Sequence, residues 1–214
     1  MSVANRIGIF GTSGMAREVG DIAWALGLEP IYVARDESEL SALNFCAQVI
    51  LERDIGQHMD MPYVIGIGEN STRKAVSSRF KDQLTFTNLI HPSATLGKAQ
   101  REVLESRTGI VVCAGVRFTS GIAAGDFCIF NQNSTIAHDC VVGSFVHVAP
   151  GANISGNVEL QDECWIGAGA VINQGRLTRK LKIGRKTVIG SGAVVIRDCD
   201  SNAVYAGVPA ERIE

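Results

Sequence analysis

The sequence has no long hydrophobic run and no strong excess of charge of either sign. No stretch approaches the roughly 18 apolar residues that a membrane-spanning helix needs. The formal net charge is −2 over 214 residues. The first absence argues against a membrane span. The second argues against a general binder of nucleic acids or of anionic membranes.

The cysteines form no CxxC pair and no other close cluster. This absence argues against a redox dithiol or a zinc-binding knuckle, and we predict that the thiols are buried and free. The N-terminal stretch MSVANRIGIFG also lacks the layout of a signal peptide, so the protein is expected to be cytoplasmic. The six cysteines stand at positions 46, 113, 128, 140, 164 and 199.

Small and aliphatic residues dominate where aromatic residues are scarce. Aromatic residues make up 6% of the chain, whereas hydrophobic residues as a group make up 46% and there are 23 glycines. This composition is typical of a fold with many tight turns and thin walls. The length suits one large domain or two small ones, and the hydrophobic content allows a proper core.

The first 85 or so residues alternate short apolar segments with helical ones. Residues 15–27 place apolar side chains at helical spacing and end at Gly27, and residues 70–80 predict a second helix with Asn70 or Ser71 as its N-cap. Strands alternating with helices predict a small parallel sheet. The predicted strands are 6–10, 30–33, 47–51 and 63–67.

From about Ile110 the sequence follows a six-residue rhythm. Neither the period of about 3.6 residues of a helix nor the period of about 2 of a strand explains such a repeat. A parallel β-helix does, because each hexad forms one flat face with its apolar residue pointing inward. Small residues recur four places after many of these apolar positions. The apolar positions are 110, 116, 122, 130, 136, 142, 148, 154, 160, 166, 172, 183, 189 and 195.

Several stretches together resemble a known family. The hexads VVGSFVH, WIGAGAV, KIGRKTV and VIGSGAV, with the ending VYAGVPAERI, resemble the left-handed β-helix (hexapeptide-repeat) acyltransferases. The stretches IFGTSGMAREV, IGIGENSTR, NLIHPSA and NSTIAHD narrow the resemblance to bacterial nucleotide-sugar N-acetyltransferases. Those enzymes acetylate a 4-amino sugar such as the bacillosamine or perosamine precursor. The resemblance covers nearly the whole chain.

The resemblance implies two domains and a shared active site. Residues 1–85 are expected to form a small Rossmann-like domain that binds a nucleotide sugar. Residues 86–214 are expected to form a left-handed parallel β-helix with a C-terminal tail, which carries the acetyltransferase site. The implied reaction moves an acetyl group from acetyl-CoA, without a metal, to the amine of a nucleotide-linked 4-amino-4,6-dideoxy sugar. The family is trimeric, with active sites between neighbouring subunits.

Two histidines stand nine residues apart, at His138 and His147. With three hexads per coil, nine residues are half a circuit, so both side chains cannot meet within one chain. In a cyclic trimer, His138 of one subunit can face His147 of the next. The apolar residues Phe127, Phe145 and Trp165 are expected to line the walls of the β-helix, where neighbouring subunits would cover them.

His138 and Asp139 are the predicted catalytic pair. Acetyl transfer needs a neutral amine, and a histidine is suited to remove its proton near neutral pH. Asp139 would orient the imidazole, as carboxylates do in other histidine sites. The family pattern has Glu after this histidine, and Asp is one methylene shorter. Gly156, one coil later, is expected to leave space above the ring.

The resemblance assigns further residues to the two substrates. Asn131 would hold the sugar or its amine. His147 would meet the acyl end of acetyl-CoA as a hydrogen-bond donor, with Trp165 covering it. Ala168 and Ser191, one coil plus a five-residue insertion apart, would share a column along which coenzyme A lies. The insertion and the residues after it carry a run of basic side chains that could attract the phosphates of coenzyme A. These residues are Arg176, Arg179, Lys180, Lys182, Arg185 and Lys186.

The N-terminal turn GTSGMAR follows a strand and opens a helix, so its backbone N–H groups can receive a phosphate. It lacks the GxGxxG spacing of a dinucleotide site. The resemblance assigns this turn to the nucleotide sugar, through Ser13, Gly14 and Met15. The pair Arg35–Asp36 and Gly68 would complete the pocket. UDP-binding members often have two acids at the Arg35–Asp36 position, so the sequence leaves the base open.

Three other functions compete with N-acetyl transfer. An O-acetyltransferase acting on a sugar or on sialic acid would use the same fold. A γ-type carbonic anhydrase also uses a left-handed β-helix, but its zinc needs three histidines. The repeats offer only His138 and His147, since His58 and His91 lie outside them. The third alternative is a binding protein that uses the β-helix as a scaffold.

Overall fold

The computed structural model describes residues 5–42 and 47–214, so Cys46 lies outside the described residues. The N-terminal unit is built on a parallel sheet with strand order β3-β2-β1-β4. The alternation of strands and helices in the sequence predicted this sheet. Its strands are β1 (Arg6–Phe10), β2 (Glu29–Ala34), β3 (Gln48–Leu51) and β4 (Tyr63–Ile65).

The helices of this unit begin where the strands end. Helix α1 (Gly14–Ala25) follows β1, and its chain leaves through Gly27, whose positive φ of 74° suits glycine. Helix α2 (Glu37–Ser41) follows β2, and a 3₁₀ helix (Glu52–Gln57) follows β3. The sequence predicted none of the short helices.

Helix α3 (Asn70–Phe80) has the predicted bounds, but the predicted N-cap was wrong. Glu69 caps the helix, and its carboxylate accepts hydrogen bonds from the backbone N–H groups of Ser71 and Thr72. Asn70 is buried instead and donates to the carbonyls of Glu163 and Cys164 at 2.9 and 3.0 Å. The competing long-range partner explains why the local capping rule failed.

The rest of the chain forms a three-sided parallel β-helix. Its first face comprises β5 (Leu89–Ile90), β7 (Val111–Val112), β10 (Ile129–Phe130), β13 (His147–Val148), β16 (Trp165–Ile166), β19 (Val188–Ile189), β21 (Val204–Ala206) and the antiparallel β22 (Glu211–Arg212). Its second face comprises β6 (Thr95–Leu96), β8 (Arg117–Phe118), β11 (Thr135–Ile136), β14 (Asn153–Ile154), β17 (Val171–Ile172) and β20 (Val194–Val195). Its third face comprises β9 (Ala123–Ala124), β12 (Val141–Val142), β15 (Val158–Leu160) and β18 (Leu181–Ile183).

The predicted six-residue rhythm is confirmed from position 130 onward. The column predicted for positions 110, 116 and 122 was wrong. The β-helix starts at Leu89, before Ile110, and its first coil replaces the third face with helix α4 (Gln100–Glu105). In the next coil, Phe130 aligns with Val112 rather than with Ile110. Ile110, Val116 and Ile122 instead stand in the column of small residues. Both columns point inward and both are buried, so either can hold aliphatic side chains.

The corners of the β-helix repeat with the same period. From Gly109 to Gly169, every sixth residue has a positive φ, and Asp139 is one of them with φ 60°. Cysteines occupy part of the inward small-residue column, and the thiols of Cys113, Cys128, Cys140, Cys164 and Cys199 are buried and free as predicted.

The N-terminal unit packs on the β-helix and covers one of its corners. The rings of Phe127 and Phe145 stack with centroids 5.2 Å apart, and Phe127 packs edge-on against Phe86. Both belong to a core shared with the N-terminal sheet. Their predicted role as exposed walls was therefore wrong, because the same chain covers them. They give no support to a trimer.

Candidate active site

His138 and Asp139 form a hydrogen-bonded pair at an exposed corner. The Nδ1 of His138 lies 2.8 Å from Oδ2 of Asp139, and the two side chains are 50% and 63% exposed. A carboxylate accepts hydrogen bonds, so Nδ1 carries the proton and Nε2 keeps its lone pair. The shorter side chain of Asp139 thus still reaches the imidazole.

Gly156 leaves the space above His138 that the sequence predicted. A Cβ atom at Gly156 would stand 2.5 Å from both Nε2 and Cε1 of the imidazole. Since real Cβ atoms do not approach that closely, any other residue here would displace the ring. The absence of a side chain at Gly156 therefore lets the imidazole of His138 lie close against the backbone there.

The five-residue insertion supports this corner from the next coil. Lys180 donates to the backbone carbonyl of Asp139 and, at 2.9 Å, to Oδ1 of Asn157. The backbone N–H of Asn157 in turn donates to the carbonyl of His138 at 2.8 Å. These contacts fix the backbone on both sides of the imidazole. The sequence indicated the charge of Lys180 but not this position.

His147 lies in a different environment, buried between the β-helix and the N-terminal unit. Its side chain is 4% exposed. Its Nδ1 lies 2.9 Å from the carbonyl oxygen of Gly68, and the Trp165 ring packs on it with centroids 4.2 Å apart. Burial lowers the pKa of His147 to about 4, against a small opposing effect of the Gly68 carbonyl.

These contacts indicate the tautomer of His147. The carbonyl of Gly68 can only accept, so Nδ1 carries the proton. A neutral ring then has no second N–H, and its Nε2 is an acceptor. The contact of His147 with the acyl end of acetyl-CoA stays a prediction, and this tautomer would not donate through Nε2.

Four of the residues assigned to substrates meet at this junction. The Nδ2 of Asn131 lies 3.5 Å from Nε2 of His147 and 3.7 Å from the sulfur of Met15, and its Oδ1 accepts from the N–H of Gln132 at 2.8 Å. Met15, Gly68, Asn131 and His147 thus form one contiguous cluster. It joins the start of α1 and the end of β4 to the first face of the β-helix.

Arg73 holds the two sides of the junction together, and no motif in the sequence points to this role. Its side chain is fully buried and donates to the carbonyls of Ile67, Gly68, Phe127 and Phe145 at 2.8–3.0 Å and to Oδ1 of Asn70 at 2.8 Å. Burial lowers its pKa to about 10. A guanidinium remains charged there, because carbonyl oxygens surround it.

Glu163 also holds the junction together, through ion pairs. It is 4% exposed and lies 2.7 Å from Lys74, 2.9 Å from Arg185 and 3.9 Å from Lys186. Burial opposes its ionisation, but hydrogen bonds from Lys74 and Arg185 hold the pKa of Glu163 below its usual value. Helix α3 is thereby tied to the β-helix by charge as well as by packing.

A cavity of about 470 Å³ opens at the carboxyl edge of the parallel sheet. Ser13 at the start of α1 and Arg35 after β2 line it, as the sequence predicted, together with Glu39, Glu52 and Arg79. Ligands of open parallel sheets bind at this edge. The three further charged residues were missed, because only the tertiary fold brings them to one edge.

Gly14, Met15 and Asp36 are close to lining residues in the chain but do not themselves line the cavity. Gly14 and Met15 are the first residues of α1, whose backbone N–H groups have no partner within the helix. Asp36 caps α2 through Glu39 and pairs with Arg35 at 2.9 Å. These contacts hold the pKa of Asp36 below its usual value, the Glu39 N–H contributing most. Asp36 is thus occupied in holding the turn.

Ala168 and Ser191 lie in one exposed column, as the sequence predicted. Trp165 pairs with Val188, which sets the same register for the corner that follows. The N–H of Gly192 donates to the carbonyl of Ala168 at 2.9 Å. The column runs along the corner between the first and second faces.

Several cations of the predicted basic run are paired with acids. Arg179 pairs with Asp198, Lys182 with Glu159, and Arg185 and Lys186 with Glu163. The insertion turns tightly between Arg176 and Arg179, whose backbones exchange hydrogen bonds. The net positive field of this loop is therefore smaller than the sequence suggested.

His138 and His147 lie on opposite sides of the β-helix, as predicted. His147 belongs to the first face, whereas His138 lies at the corner between β11 of the second face and β12 of the third. That corner is opposite the first face. The exposed imidazole therefore does not reach the pocket of its own N-terminal unit around the β-helix.

No three histidine, cysteine, aspartate or glutamate side chains come together as a metal site among residues 5–42 and 47–214. In the same residues, every helix is too short or too polar to cross a membrane.

Comparison with known protein families finds the PglD N-terminal domain at residues 6–80. GDP-perosamine N-acetyltransferase of Escherichia coli O157:H7 is 40% identical over 77 residues, which cover 36% of this chain and 35% of that protein. A Staphylococcus aureus 2,3,4,5-tetrahydropyridine-2,6-dicarboxylate N-acetyltransferase is 35% identical over 80 residues, 34% of this chain and 31% of that protein. The chain thus matches about a third of the length of these curated relatives.

Solved structures match over nearly the full chain. The acetyltransferase domain of PglB from Neisseria gonorrhoeae is 26% identical with a TM-score of 0.82, covering 98% of this chain and 100% of that one. WeeI from Acinetobacter baumannii is 27% identical with a TM-score of 0.84, covering 97% and 99%. PerB from Caulobacter crescentus, in complex with CoA and GDP-perosamine, is 25% identical with a TM-score of 0.81, covering 97% of each chain.

The α/β unit and the hexapeptide coils define a left-handed β-helix protein of the acyltransferase class. Within that class, residues 6–80 match the PglD N-terminal domain, and nearly the whole chain shares its fold with the PglB, WeeI and PerB structures.

Proposed function

We propose that the protein transfers the acetyl group of acetyl-CoA to the amine of a nucleotide-linked amino sugar. The observation that carries this proposal is the His138–Asp139 pair at 2.8 Å, with the imidazole half exposed and packed closely against Gly156. The PerB structure, which has the same overall fold, holds CoA and GDP-perosamine. The PglB acetyltransferase domain was solved with acetyl coenzyme A.

The finer proposal is a 4-amino-4,6-dideoxy sugar and direct attack by its amine. The amine nitrogen bonds to the thioester carbonyl carbon while Nε2 of His138 takes the proton that this nitrogen loses. The carbon–sulfur bond then breaks, and the imidazolium returns the proton to the leaving thiolate. General-base help of this kind contributes roughly 10²–10⁴ in rate. Asp139 stabilises the imidazolium and fixes its orientation.

The oxyanion of the tetrahedral intermediate needs hydrogen-bond donors. The neutral ring of His147 has no hydrogen-bond donor at Nε2. Backbone N–H groups are therefore the proposed donors. The exposed column of Ala168 and Ser191 is the proposed track for coenzyme A. His147 then acts on the acyl end indirectly, by holding Trp165 and the junction in place.

The nucleotide part of the substrate is proposed to bind in the cavity of the N-terminal unit. Ser13, Gly14 and Met15 would receive the diphosphate at the start of α1, and Arg35 and Asp36 would lie beside the nucleoside. Gly68 and Asn131 would lie near the sugar. We place the domain boundary between residues 85 and 86, so that residues 1–85 bind the nucleotide and residues 86–214 perform the transfer.

The proposal includes a homotrimer with active sites between subunits. His138 lies opposite the face on which its own N-terminal unit packs. A cyclic arrangement lets the exposed corner of one subunit face the sugar pocket of the next. The support is this geometric separation, since the apolar rings of Phe127 and Phe145 are already covered.

The test is release of free CoA thiol with acetyl-CoA and a panel of acceptors. The panel contains 4-amino sugars linked to UDP, GDP and dTDP, matching sugars with a hydroxyl in place of the amine, and sialic acid. Thiol release that requires the amine supports the proposal. Preference for a hydroxyl acceptor would instead favour the alternative, an O-acetyltransferase of the same fold. Absence of release with every acceptor would contradict both.

A further inference from the structure

The cavity of the N-terminal unit has its functional groups in a fixed order across the sheet. The ends of β1, β2 and β3 lie side by side and lead to Ser13, Arg35 and Glu52 respectively. In sheets of this kind, the diphosphate binds at the glycine turn after the first strand, and the ribose lies by the end of the second. A nucleotide placed in this way brings its base to the end of β3, beside Glu52.

Glu52 offers an acceptor at that position. Arg79 donates to Oε2 at 2.8 Å, and the glutamate side chain is 16% exposed. In the part of the chain that the structure describes, Oε1 has no hydrogen-bond partner. The carboxylate is therefore held in place on one side and available on the other.

Glu39, the other acid of the cavity, is already engaged on both oxygens. It accepts from the hydroxyl of Thr12 at 2.5 Å and from the backbone N–H of Arg35 at 2.8 Å. Glu39 thus holds the turns after β1 and β2 together. Glu52 is the acid that retains an oxygen for a ligand.

The bases differ in what they present to a carboxylate. Guanine has two adjacent donors, N1–H and the N2 amino group, which a carboxylate accepts together. Uracil and thymine have one N–H between two carbonyl oxygens, and these oxygens would repel the carboxylate. Adenine has an amino donor next to an acceptor nitrogen. Only guanine satisfies a carboxylate without a repulsive neighbour.

We propose that this cavity selects a guanosine diphosphate sugar and that Glu52 accepts hydrogen bonds from the guanine edge. The inference rests on the function proposed above, whose nucleotide it identifies. Arg79 is the positioning residue that orients the carboxylate.

The experiment is isothermal titration of the intact protein with GDP, UDP, dTDP and ADP, without sugar or acetyl-CoA. A well-formed bidentate contact discriminates between bases by roughly ten- to a hundredfold, so GDP is expected to bind more tightly than the other three by such a factor. Glu52→Gln replaces one acceptor by a donor and should remove most of this preference, because GDP loses an acceptor and the uracil oxygens are no longer repelled. Glu37→Gln, an exposed glutamate outside the cavity, is the matched control and should bind all four nucleotides like the wild type.

The outcomes separate this inference from the proposed function. Equal binding of GDP and UDP by the wild-type protein, or a GDP preference that survives in Glu52→Gln, would overturn the assignment of the base but not the enzyme class. Failure of all four nucleotides to bind would contradict the nucleotide-sugar function itself. The wild-type comparison needs no variant, and circular dichroism of Glu52→Gln shows whether its fold is retained.

Discussion

The two histidines of the β-helix stand in opposite environments. His138 is half exposed, pairs with an acid and faces an open corner. His147 is buried, hydrogen-bonded to a backbone carbonyl and covered by Trp165. The first arrangement keeps an accessible lone pair and can take up a proton. The second holds the ring neutral and uses it to join two parts of the chain.

This difference shows that a shared motif does not give its histidines a shared role. Burial without an acidic partner disfavours the charged imidazole, whereas exposure beside a carboxylate tolerates it. The exposed corner is therefore the chemical part of the site, and the buried junction is its structural support. Each of the following experiments changes one region and leaves the other unchanged.

The largest effect is expected from His138→Asn. Loss of the general base should lower kcat by roughly 10²–10⁴, while the affinity for acetyl-CoA and the unfolding midpoint stay near wild type. Steady-state thiol release and thermal unfolding measure the two quantities. Asp139→Asn should cost less, because Asp139 orients the ring and does not move the proton. Retention of more than about a tenth of wild-type kcat would contradict the role of His138.

Arg73→Met tests the buried junction. The carbonyls of Ile67, Gly68, Phe127 and Phe145 would lose their donor inside the protein. Because each unsatisfied buried acceptor costs about 1–3 kcal/mol, the free energy of unfolding should fall by about 3 kcal/mol or more.

Urea denaturation measures this change, and Arg101→Met is its control. Arg101 forms an exposed pair with Glu105 at 3.2 Å, and such pairs contribute about 0–1 kcal/mol. Equal losses in the two variants would show that Arg73 does not clamp the junction.

His147 should make stability depend on pH. Its pKa is lowered to about 4 in the folded protein, against 6.5 in the unfolded chain. Between these values the unfolded state binds more protons, so stability is full above pH 6.5 and falls as the pH drops toward 4. The free energy of unfolding should thereby fall by roughly 2–3 kcal/mol.

Denaturant unfolding at pH 7.5 and at pH 5 measures this loss. His147→Gln should reduce the difference between the two pH values, although its stability at pH 7.5 is lower. His138→Asn, which changes an exposed ring, should keep the wild-type difference. A His147→Gln protein with an unchanged pH dependence would show that other groups cause it.

Gly156→Ala should disturb the exposed corner without unfolding it. The added Cβ would stand 2.5 Å from the imidazole of His138, so the ring must move off its partner Asp139. We expect kcat to fall by about tenfold, the scale of a misplaced catalytic group, with little change in the unfolding midpoint. Gly56→Ala, where an added Cβ meets no atom within 4 Å, is the control. Wild-type kcat in Gly156→Ala would mean that this ring position is not needed.

The smallest effect is expected from Lys180→Met. This change removes the donor to the Asp139 carbonyl and to Asn157. Net hydrogen-bond contributions of about 1 kcal/mol predict a loss of only a few-fold in kcat, with an unchanged KM for acetyl-CoA. Lys180→Arg should restore part of the lost kcat. An increase in the KM for acetyl-CoA instead would indicate that Lys180 binds coenzyme A.

The sequence predicted features that repeat or follow local rules. The hexads after Phe130 gave the coil register, because inward burial recurs at every turn of the β-helix. The column of Ala168 and Ser191 followed from the same count once the insertion was included. The His138–Asp139 contact followed from adjacency in the chain.

Features that depend on long-range packing were missed or misassigned. Asn70 was predicted as a cap, but its side chain binds carbonyls of the β-helix far along the chain. His147 was predicted to donate to a ligand, and its Nδ1–H instead donates to the carbonyl of Gly68. Arg73 and Glu52 stood in helical segments with no motif around them. The approach of the two units gives Arg73 its carbonyl partners on the β-helix, and the folding of the N-terminal unit brings Arg79 to Glu52.

The central claim is that the exposed corner of one subunit works with the sugar pocket of its neighbour. The direct test mixes two inactive variants, His138→Asn, which lacks the base, and Ser13→Glu, which places a negative charge where the diphosphate binds. Chains are unfolded and refolded together, and native mass spectrometry verifies mixed trimers. Each mixed trimer should regain one intact site, hence at most about a third of wild-type activity in a three-fold ring. Mixed trimers that remain as inactive as their parents would contradict the shared site.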